Sequence, residues 1–140
     1  WAIVLSACGG ETIVDPPDVD LVAPFVGTWD ATVFDVTSDA DTSVVADLTI
    51  DGEFVINVQA SGLYTATLTF GGIPIVEIGQ LRPTSDGFVT LQPNGGDPAT
   101  SAFDFVRADY LTLDGPTEFD FNLDTVLDPA QAYIELQRRN

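Results

Sequence analysis

The sequence predicts an all-β domain, an antiparallel up-and-down meander of about eight to ten strands that closes into a small barrel. Three observations indicate this class. From residue 25 onward, short segments alternate apolar and polar residues, as strands with one buried face do. Pairs such as Asp51-Gly52, Ser61-Gly62 and Gly71-Gly72 mark tight turns between the segments. No segment shows a sustained 3.6-residue apolar period, so we expect little or no helix.

Closure into a barrel is expected because it leaves no unpaired strand edge. A β-sandwich is the main alternative, but its crossovers need longer connections than most of those in this chain. Alternation predicts strands at residues 44–51, 53–60, 63–70, 73–82, 88–92, 102–107, 110–113, 119–123 and 131–138, after a first strand that begins at Phe25. The expected inward residues include Trp29, Ala31 and Val33, then Tyr64, Ala66 and Leu68, then Val76 and Ile78, and finally Ala132, Ile134 and Leu136. A single turn of helix is expected near Asp128-Pro129-Ala130.

The chain begins with an apolar run that ends in Leu5-Ser6-Ala7-Cys8. This quartet resembles a bacterial lipobox, where a lipoprotein signal peptide is cut and the cysteine thiol is acylated. The resemblance implies that residues 1–7 are the remnant of a truncated signal peptide and that Cys8 carries the lipid. The alternative is that residues 1–7 form a first strand and Cys8 is a small buried thiol. Cys8 is the only cysteine, so it has no disulfide partner within the chain.

Residues 8–24 are predicted to be the lipidated Cys8 and a disordered tether, and residues 25–140 the folded domain. The tether is acidic, and Pro16-Pro17 and Pro24 oppose helix formation. The resemblance implies a protein of the bacterial cell envelope, held to a membrane by its N-terminal lipid. Gly9 stands where an inner-membrane retention signal would have Asp, which favours the outer membrane where a cell has two.

The charge balance excludes several functions. The chain has 22 acidic and 4 basic residues, no His, and a formal net charge of -18. Without a basic surface, we expect no nucleic-acid partner and no electrostatic docking on anionic lipid. The lack of His excludes Ser–His and Cys–His catalysis and His-ligated metal. Carboxylate pairs remain as catalytic candidates, but the acids fall mainly at turns and on outward faces, so we predict a non-catalytic protein without a cofactor.

The stretch Phe25-Val26-Gly27-Thr28-Trp29 resembles the first strand of lipocalin-like (calycin-type) domains, whose hallmark is Gly-x-Trp. In such domains the indole closes one end of the barrel. Residues 132–139 resemble the closing strand, which often carries a basic residue stacked over that Trp, here Arg138 or Arg139. The resemblance spans residues 25–139 and implies a lipocalin-like barrel with a small apolar ligand.

Ligand-binding residues are predicted among inward aromatic side chains. A ligand held by them is expected to be small, apolar and uncharged or cationic, because the inward faces offer few polar groups. Arg107 follows Phe103 and Phe105 on one alternating face, so it is a better interior counter-charge than Arg82. The alternative is that aromatic residues fill the barrel, which would then be an interaction or inhibitor module with a protein partner that the sequence does not identify. The full candidate set is Trp29, Tyr64, Phe70, Phe103, Phe105 and Arg107.

One acidic segment has the spacing of a calcium loop, Asp-x-Asn-x-Asp. It fails that motif, because Thr125 replaces the Gly after the third ligand and Gln131 replaces the final Glu. Its polar residues also alternate with apolar ones, as on a half-buried strand. We therefore predict no metal site, with only a weak candidate at Asp120, Asn122, Asp124 and Asp128.

Overall fold

The computed structural model describes residues 18–139, which form two short helical turns followed by nine strands. The helical turns are α1 (Val19–Val22) and a 3-10 helix (Ala23–Phe25). The strands are β1 (Gly27–Ser38), β2 (Val45–Asp47), β3 (Gly52–Val58), β4 (Leu63–Phe70), β5 (Ile73–Pro83), β6 (Phe88–Pro93), β7 (Ala99–Arg107), β8 (Tyr110–Phe119) and β9 (Asp128–Arg138).

Eight of these strands close into an antiparallel barrel, in which β1 pairs with β3 on one side and with β9 on the other. The remaining strands follow one another in sequence order around the wall. The one described strand outside the barrel, β2, pairs only with the C-terminal half of β1. The predicted all-β antiparallel barrel is confirmed. Within residues 18–139, no helix has the length and apolar character needed to cross a membrane.

The sequence prediction of a hairpin at Asp51-Gly52 is wrong. Asp51-Gly52 does not join two paired strands, because β2 and β3 both pair with β1, at Asp35–Thr37 and Gly27–Asp30 respectively. Position 52 instead requires glycine because neighbouring backbone atoms leave no room for a side chain. A Cβ there would lie 2.6 Å from the carbonyl oxygens of Leu48 and Thr69.

A β-bulge at Thr32 changes which face of β1 points inward. Glu135 pairs with Val33 and Leu136 with Ala31, so no residue of β9 lies directly opposite Thr32. Beyond the bulge, the inward residues are Phe34 and Val36, and the predicted inward position of Val33 is wrong. A bulge adds one residue to one strand and thereby shifts the two-residue alternation.

The inward face of β5 is also the opposite of the predicted one. Val76 and Ile78 are 57% and 46% exposed. Glu77 lies inward, because it pairs with the buried Ala66 of β4 and cross-strand partners point to the same face. The segment Ile73–Ile78 is apolar on both faces, so alternation alone does not choose between them.

The last part of the barrel differs from the prediction in two places. β8 runs without interruption from Tyr110 to Phe119, and residues 120–127 form a loop where a strand at 119–123 was expected. β9 begins at Asp128, so the helical turn predicted there is absent.

One end of the barrel, the closed end, is packed solid and capped by the helical turns. Val22 is fully buried and Phe25 is 2% exposed, and both belong to the main core with Trp29, Tyr64 and Leu136. The prediction that the tether extends to residue 24 without helix is therefore wrong for residues 19–24. Residues 8–17 lie outside the described part of the chain, so the rest of the tether stays a prediction.

The other end, the open end, carries the turn 71–72 and the loops 39–44, 94–98 and 120–127. Its wall is low on one side, because β5 and β8 extend beyond the shorter β6–β7 hairpin. Ile73–Ile78 pairs only with β4, and Gly115–Phe119 only with β9. Pro74 and Pro116 lie in these one-sided stretches, where a residue without an N–H limits pairing with further strands.

Candidate functional site

The open half of the barrel contains a cavity of about 300 Å³. Its wall is mainly apolar, with two aromatic residues, Phe34 and Phe54, in a T-shaped contact at 5.2 Å between ring centroids. The cavity reaches the low side of the wall through Asp97, Ala99 and Pro116. The other lining residues are Ala66, Leu68, Ile75, Glu77, Leu91, Pro93, Ser101, Leu113, Thr117, Ala132 and Ile134.

The floor of this cavity separates the open half from the closed half. Leu113 lines the cavity and also the small gap beneath it, which holds only about 10 Å³. Trp29 and Leu136 line that gap and not the cavity. The interior is therefore filled at one end and open at the other.

A hydrogen-bonded pair, Tyr64 and Glu77, is the main polar feature at the cavity. The Tyr64 hydroxyl donates to Glu77 Oε2 at 2.6 Å. Burial raises the pKa of the Tyr64 phenol far above its usual value, and the hydrogen bond to Glu77 and the charge of that carboxylate raise the pKa further. Tyr64 thus stays a protonated donor that orients the carboxylate. Asp97 adds a second carboxylate, and no lining residue is basic.

The closed end is held by Gly27, Trp29 and Arg138. The Arg138 guanidinium lies 4.3 Å from the centroid of the Trp29 ring, the stacking that the lipocalin resemblance implies for one of the two terminal arginines. Gly27 has φ +133°, and a Cβ there would lie 2.7 Å from Arg138 Nη1. The absence of a side chain at Gly27 therefore leaves room for the Arg138 guanidinium beside the Trp29 indole. The other arginine, Arg139, forms an ion pair with Asp30 at 2.5 Å.

The predicted ligand-binding residues divide into two groups. Four of them pack at the closed end, where Phe25 contacts the rings of Phe103 and Phe105 at 4.9 Å each. These four are Trp29, Tyr64, Phe103 and Phe105.

The other two lie outside the interior, contrary to the prediction. Phe70 continues the inward series of β4, but it lies next to the turn 71–72 at the rim and is 44% exposed. A register shift between Phe105 and Arg107 breaks the alternation of β7. Arg107 is exposed: its Nε lies 3.4 Å from Asp109 Oδ1, and its guanidinium carbon lies 5.0 Å from the centroid of the Tyr110 ring.

Glu77 is the functional candidate that the sequence prediction missed. The signal for it was present in the turn Gly71-Gly72, because a two-residue turn that pairs Phe70 with Ile73 also pairs Ala66 with Glu77. Since Ala66 was correctly assigned to the inward face, its partner had to face inward too.

The acidic segment, the weak candidate for a calcium site, is organised by its own hydrogen bonds. Asp120 accepts hydrogen bonds from the backbone N–H groups of Asp124 (3.1 Å) and Thr125 (2.9 Å), and Asp124 accepts one from Val126 (2.9 Å). These side chains therefore organise their own loop. Among residues 18–139, no group of three or more Asp or Glu side chains is arranged to hold a metal ion.

Comparison with known protein families gives no match, and no curated protein matches the chain. Among solved structures, that of EF1p2_mFAP2b bound to DFHBI is similar, with a TM-score of 0.52 and 15% sequence identity. The match covers 86% of this chain and 98% of that one. The chain has a lipocalin-like barrel fold. At this identity the likeness concerns the fold alone.

Proposed function

We propose that this protein is a non-catalytic binding protein that holds a small apolar ligand, uncharged or cationic, in the open half of its barrel. The observation that carries the proposal is the cavity of about 300 Å³ with its mainly apolar wall. That volume lies at the lower end of the range for small-molecule sites, about 300–1,000 Å³. The ligand is accordingly small.

The charges around the cavity support this choice of ligand. The cavity wall contains Glu77 and Asp97 but no basic residue, and Arg107 lies outside the barrel. An anionic ligand would lose water without gaining a charged donor, and it would approach a chain of net charge -18. Fatty acids and other carboxylates are therefore poor ligands.

The structural comparison adds limited support. EF1p2_mFAP2b has a similar fold and was solved bound to DFHBI. A barrel of this architecture is thus compatible with small-ligand binding, while the ligand of the present protein follows only from its own cavity.

A second candidate function is an interaction module. Two observations favour it: the closed half of the barrel is densely packed, and Val76 and Ile78 expose apolar surface on the outer face of β5. In this alternative, the β4–β5 hairpin would contact another protein and the cavity would stay empty.

We also propose that the protein is anchored in a bacterial cell envelope through a lipid on Cys8, in the outer membrane where there are two. The lipobox resemblance of Leu5-Ser6-Ala7-Cys8 and the acidic segment that follows it support this proposal. The motif and residues 9–17 of that segment lie outside the described part of the chain.

The test of ligand binding is calorimetric titration of a soluble Cys8→Ser protein with small alcohols such as 1-octanol. Trp29 lies beneath the cavity floor, so calorimetry reports binding more directly than its fluorescence. Ala132→Phe places a ring in the cavity and should weaken binding at least about tenfold, which is 1.4 kcal/mol. Ala102→Phe, at an exposed position of β7, is the matched control and should bind as the wild type does.

Absence of binding up to the solubility of the alcohols would refute the ligand proposal and favour the interaction module. Equal binding by the wild type and Ala132→Phe would place the ligand outside the cavity.

A further inference from the structure

We propose that Glu77 makes the cavity selective for ligands with one positive charge and an apolar body, that is, lipophilic ammonium compounds. This inference rests on the proposed ligand-binding function and adds a chemical class to it. It assigns Glu77 as the ligand's charge partner and Tyr64 as the residue that positions Glu77.

Glu77 reaches the cavity because of the β4–β5 register. It is the cross-strand partner of Ala66, which also lines the cavity, and both side chains point inward. Glu77 is exposed where the wall is low, so its carboxylate lines the cavity and remains in contact with solvent. A position beside a ligand-sized cavity gives that charge a partner when an ammonium ligand enters.

Tyr64 holds this carboxylate in place without neutralising it. Its hydroxyl donates to one oxygen, Oε2, at 2.6 Å. A carboxylate has about four acceptor positions on its two oxygens, so one donor leaves capacity for an ammonium group. Because burial raises the pKa of the Tyr64 phenol, the hydroxyl remains neutral and adds no charge that competes with the ligand.

The rest of the lining suits the apolar body of such a ligand. Phe34 and Phe54 form an aromatic pair at 5.2 Å, and Ile134 lines the same cavity. Aromatic faces attract cations as well as apolar groups. A compound with an ammonium group at Glu77 and a hydrocarbon body against these side chains would use both parts of the wall.

A monovalent organic cation fits this site better than a metal ion does. Calcium requires six to eight oxygen ligands and magnesium near-octahedral geometry, whereas residues 18–139 contain no cluster of three acidic side chains that could supply them. The chain's net charge of -18 would raise the local concentration of any cation, so the specific role of Glu77 must be separated from that general attraction.

The experiment compares three probes of equal chain length, octylammonium, 1-octanol and octanoate, by calorimetric titration of the Cys8→Ser protein at about physiological ionic strength. Octylammonium should bind at least about tenfold more tightly than 1-octanol, with octanoate the weakest. Glu77→Gln should remove the preference for octylammonium over 1-octanol, which the ratio of the two dissociation constants measures. Glu53→Gln is the matched control, since it makes the same charge change at an exposed position of β3 and should retain the preference.

A second variant separates charge from the hydrogen bond. Tyr64→Phe removes the donor but keeps the carboxylate, so the order of the three probes should persist with a smaller difference between octylammonium and 1-octanol. Thermal unfolding of each variant shows that it is folded at the titration temperature.

The outcomes separate the role of Glu77 from the proposed binding of a small ligand in the cavity. If 1-octanol binds and Glu77→Gln leaves the octylammonium preference intact, Glu77 is not the charge partner and the inference is wrong, while the cavity remains a ligand site. If none of the three probes binds, both the inference and the proposed function are wrong.

Discussion

Arg138 connects three separate parts of the chain at the closed end of the barrel. Its guanidinium donates to the carbonyl oxygens of Pro24 at 2.8 Å and Ala108 at 3.1 Å, and also to that of Val26. The same group stacks on Trp29. A planar guanidinium with five donors can serve several carbonyls at once, which an ammonium group cannot do in the same geometry.

We therefore expect Arg138→Ala to lower the free energy of unfolding by about 2–4 kcal/mol, because it removes charged hydrogen bonds and a cation–π contact. Arg139→Ala is the matched control. It removes an exposed ion pair with Asp30, which solvent screens, so it should cost much less than Arg138→Ala does. Chemical denaturation of both variants measures the difference. Equal losses would mean that the contacts of Arg138 add nothing beyond those of a surface arginine.

At the scale of elements, the N-terminal helical turns belong to the barrel. α1 and the 3-10 helix are too short to be stable alone, so packing must hold them. Phe25 provides that packing: its ring contacts Phe103 and Phe105, and its carbonyl accepts a hydrogen bond from Trp29 Nε1 at 2.8 Å. The turns close one end of the barrel, a role that sequence alternation does not reveal.

Phe25→Ala should destabilise the protein by about 3–5 kcal/mol, the usual cost of truncating a buried aromatic residue. The comparison is Phe88→Ala, at a position 45% exposed at the start of β6, which should cost about 1 kcal/mol or less. Thermal and chemical unfolding of the two variants would test this. A loss below about 1 kcal/mol for Phe25→Ala would show that the helical turns do not contribute to the core.

At the scale of the whole molecule, the two ends of the barrel differ, because one is filled and the other contains the cavity. The described chain enters at the closed end, where Val22 is buried, and the cavity opens at the opposite end. A lipid on Cys8 would therefore attach through the segment that leads into the closed end. In that arrangement, the lipid would be attached to the chain on the side of Val22, and the cavity mouth lies at the other end of the barrel.

Lipidation is tested by expressing the protein behind a lipoprotein signal peptide in a bacterium that is supplied with labelled fatty acid. If the proposed anchor is correct, the wild type should take up label at the Cys8 thiol and fractionate with membranes. Cys8→Ser should take up no label and should be released in soluble form, while Ser6→Ala, which keeps a small residue at that motif position, should be labelled. An unlabelled wild-type protein would refute the anchor.

The sequence by itself determined the fold class and most strand positions. Alternation is a local property, so it identifies a strand wherever one face is clearly more apolar than the other, as around Tyr64, Ala66 and Leu68. Turns with Gly, such as Ser61-Gly62 and Gly71-Gly72, placed two hairpins correctly. The Gly27-x-Trp29 motif likewise located the closed end, because the stacking of a cation on the indole depends on only a few residues.

Only the tertiary structure decided which face of an ambiguous strand points inward and whether the interior is open. Ile73–Ile78 is apolar on both sides, so pairing with β4 selected Glu77 for the cavity wall. Bulges at Thr32 and between Phe105 and Arg107 shifted the alternation, and both depend on the partner strand. The division into a filled and an open half depends on how side-chain volumes from eight strands fit together, a sum of long-range contacts that no local pattern contains.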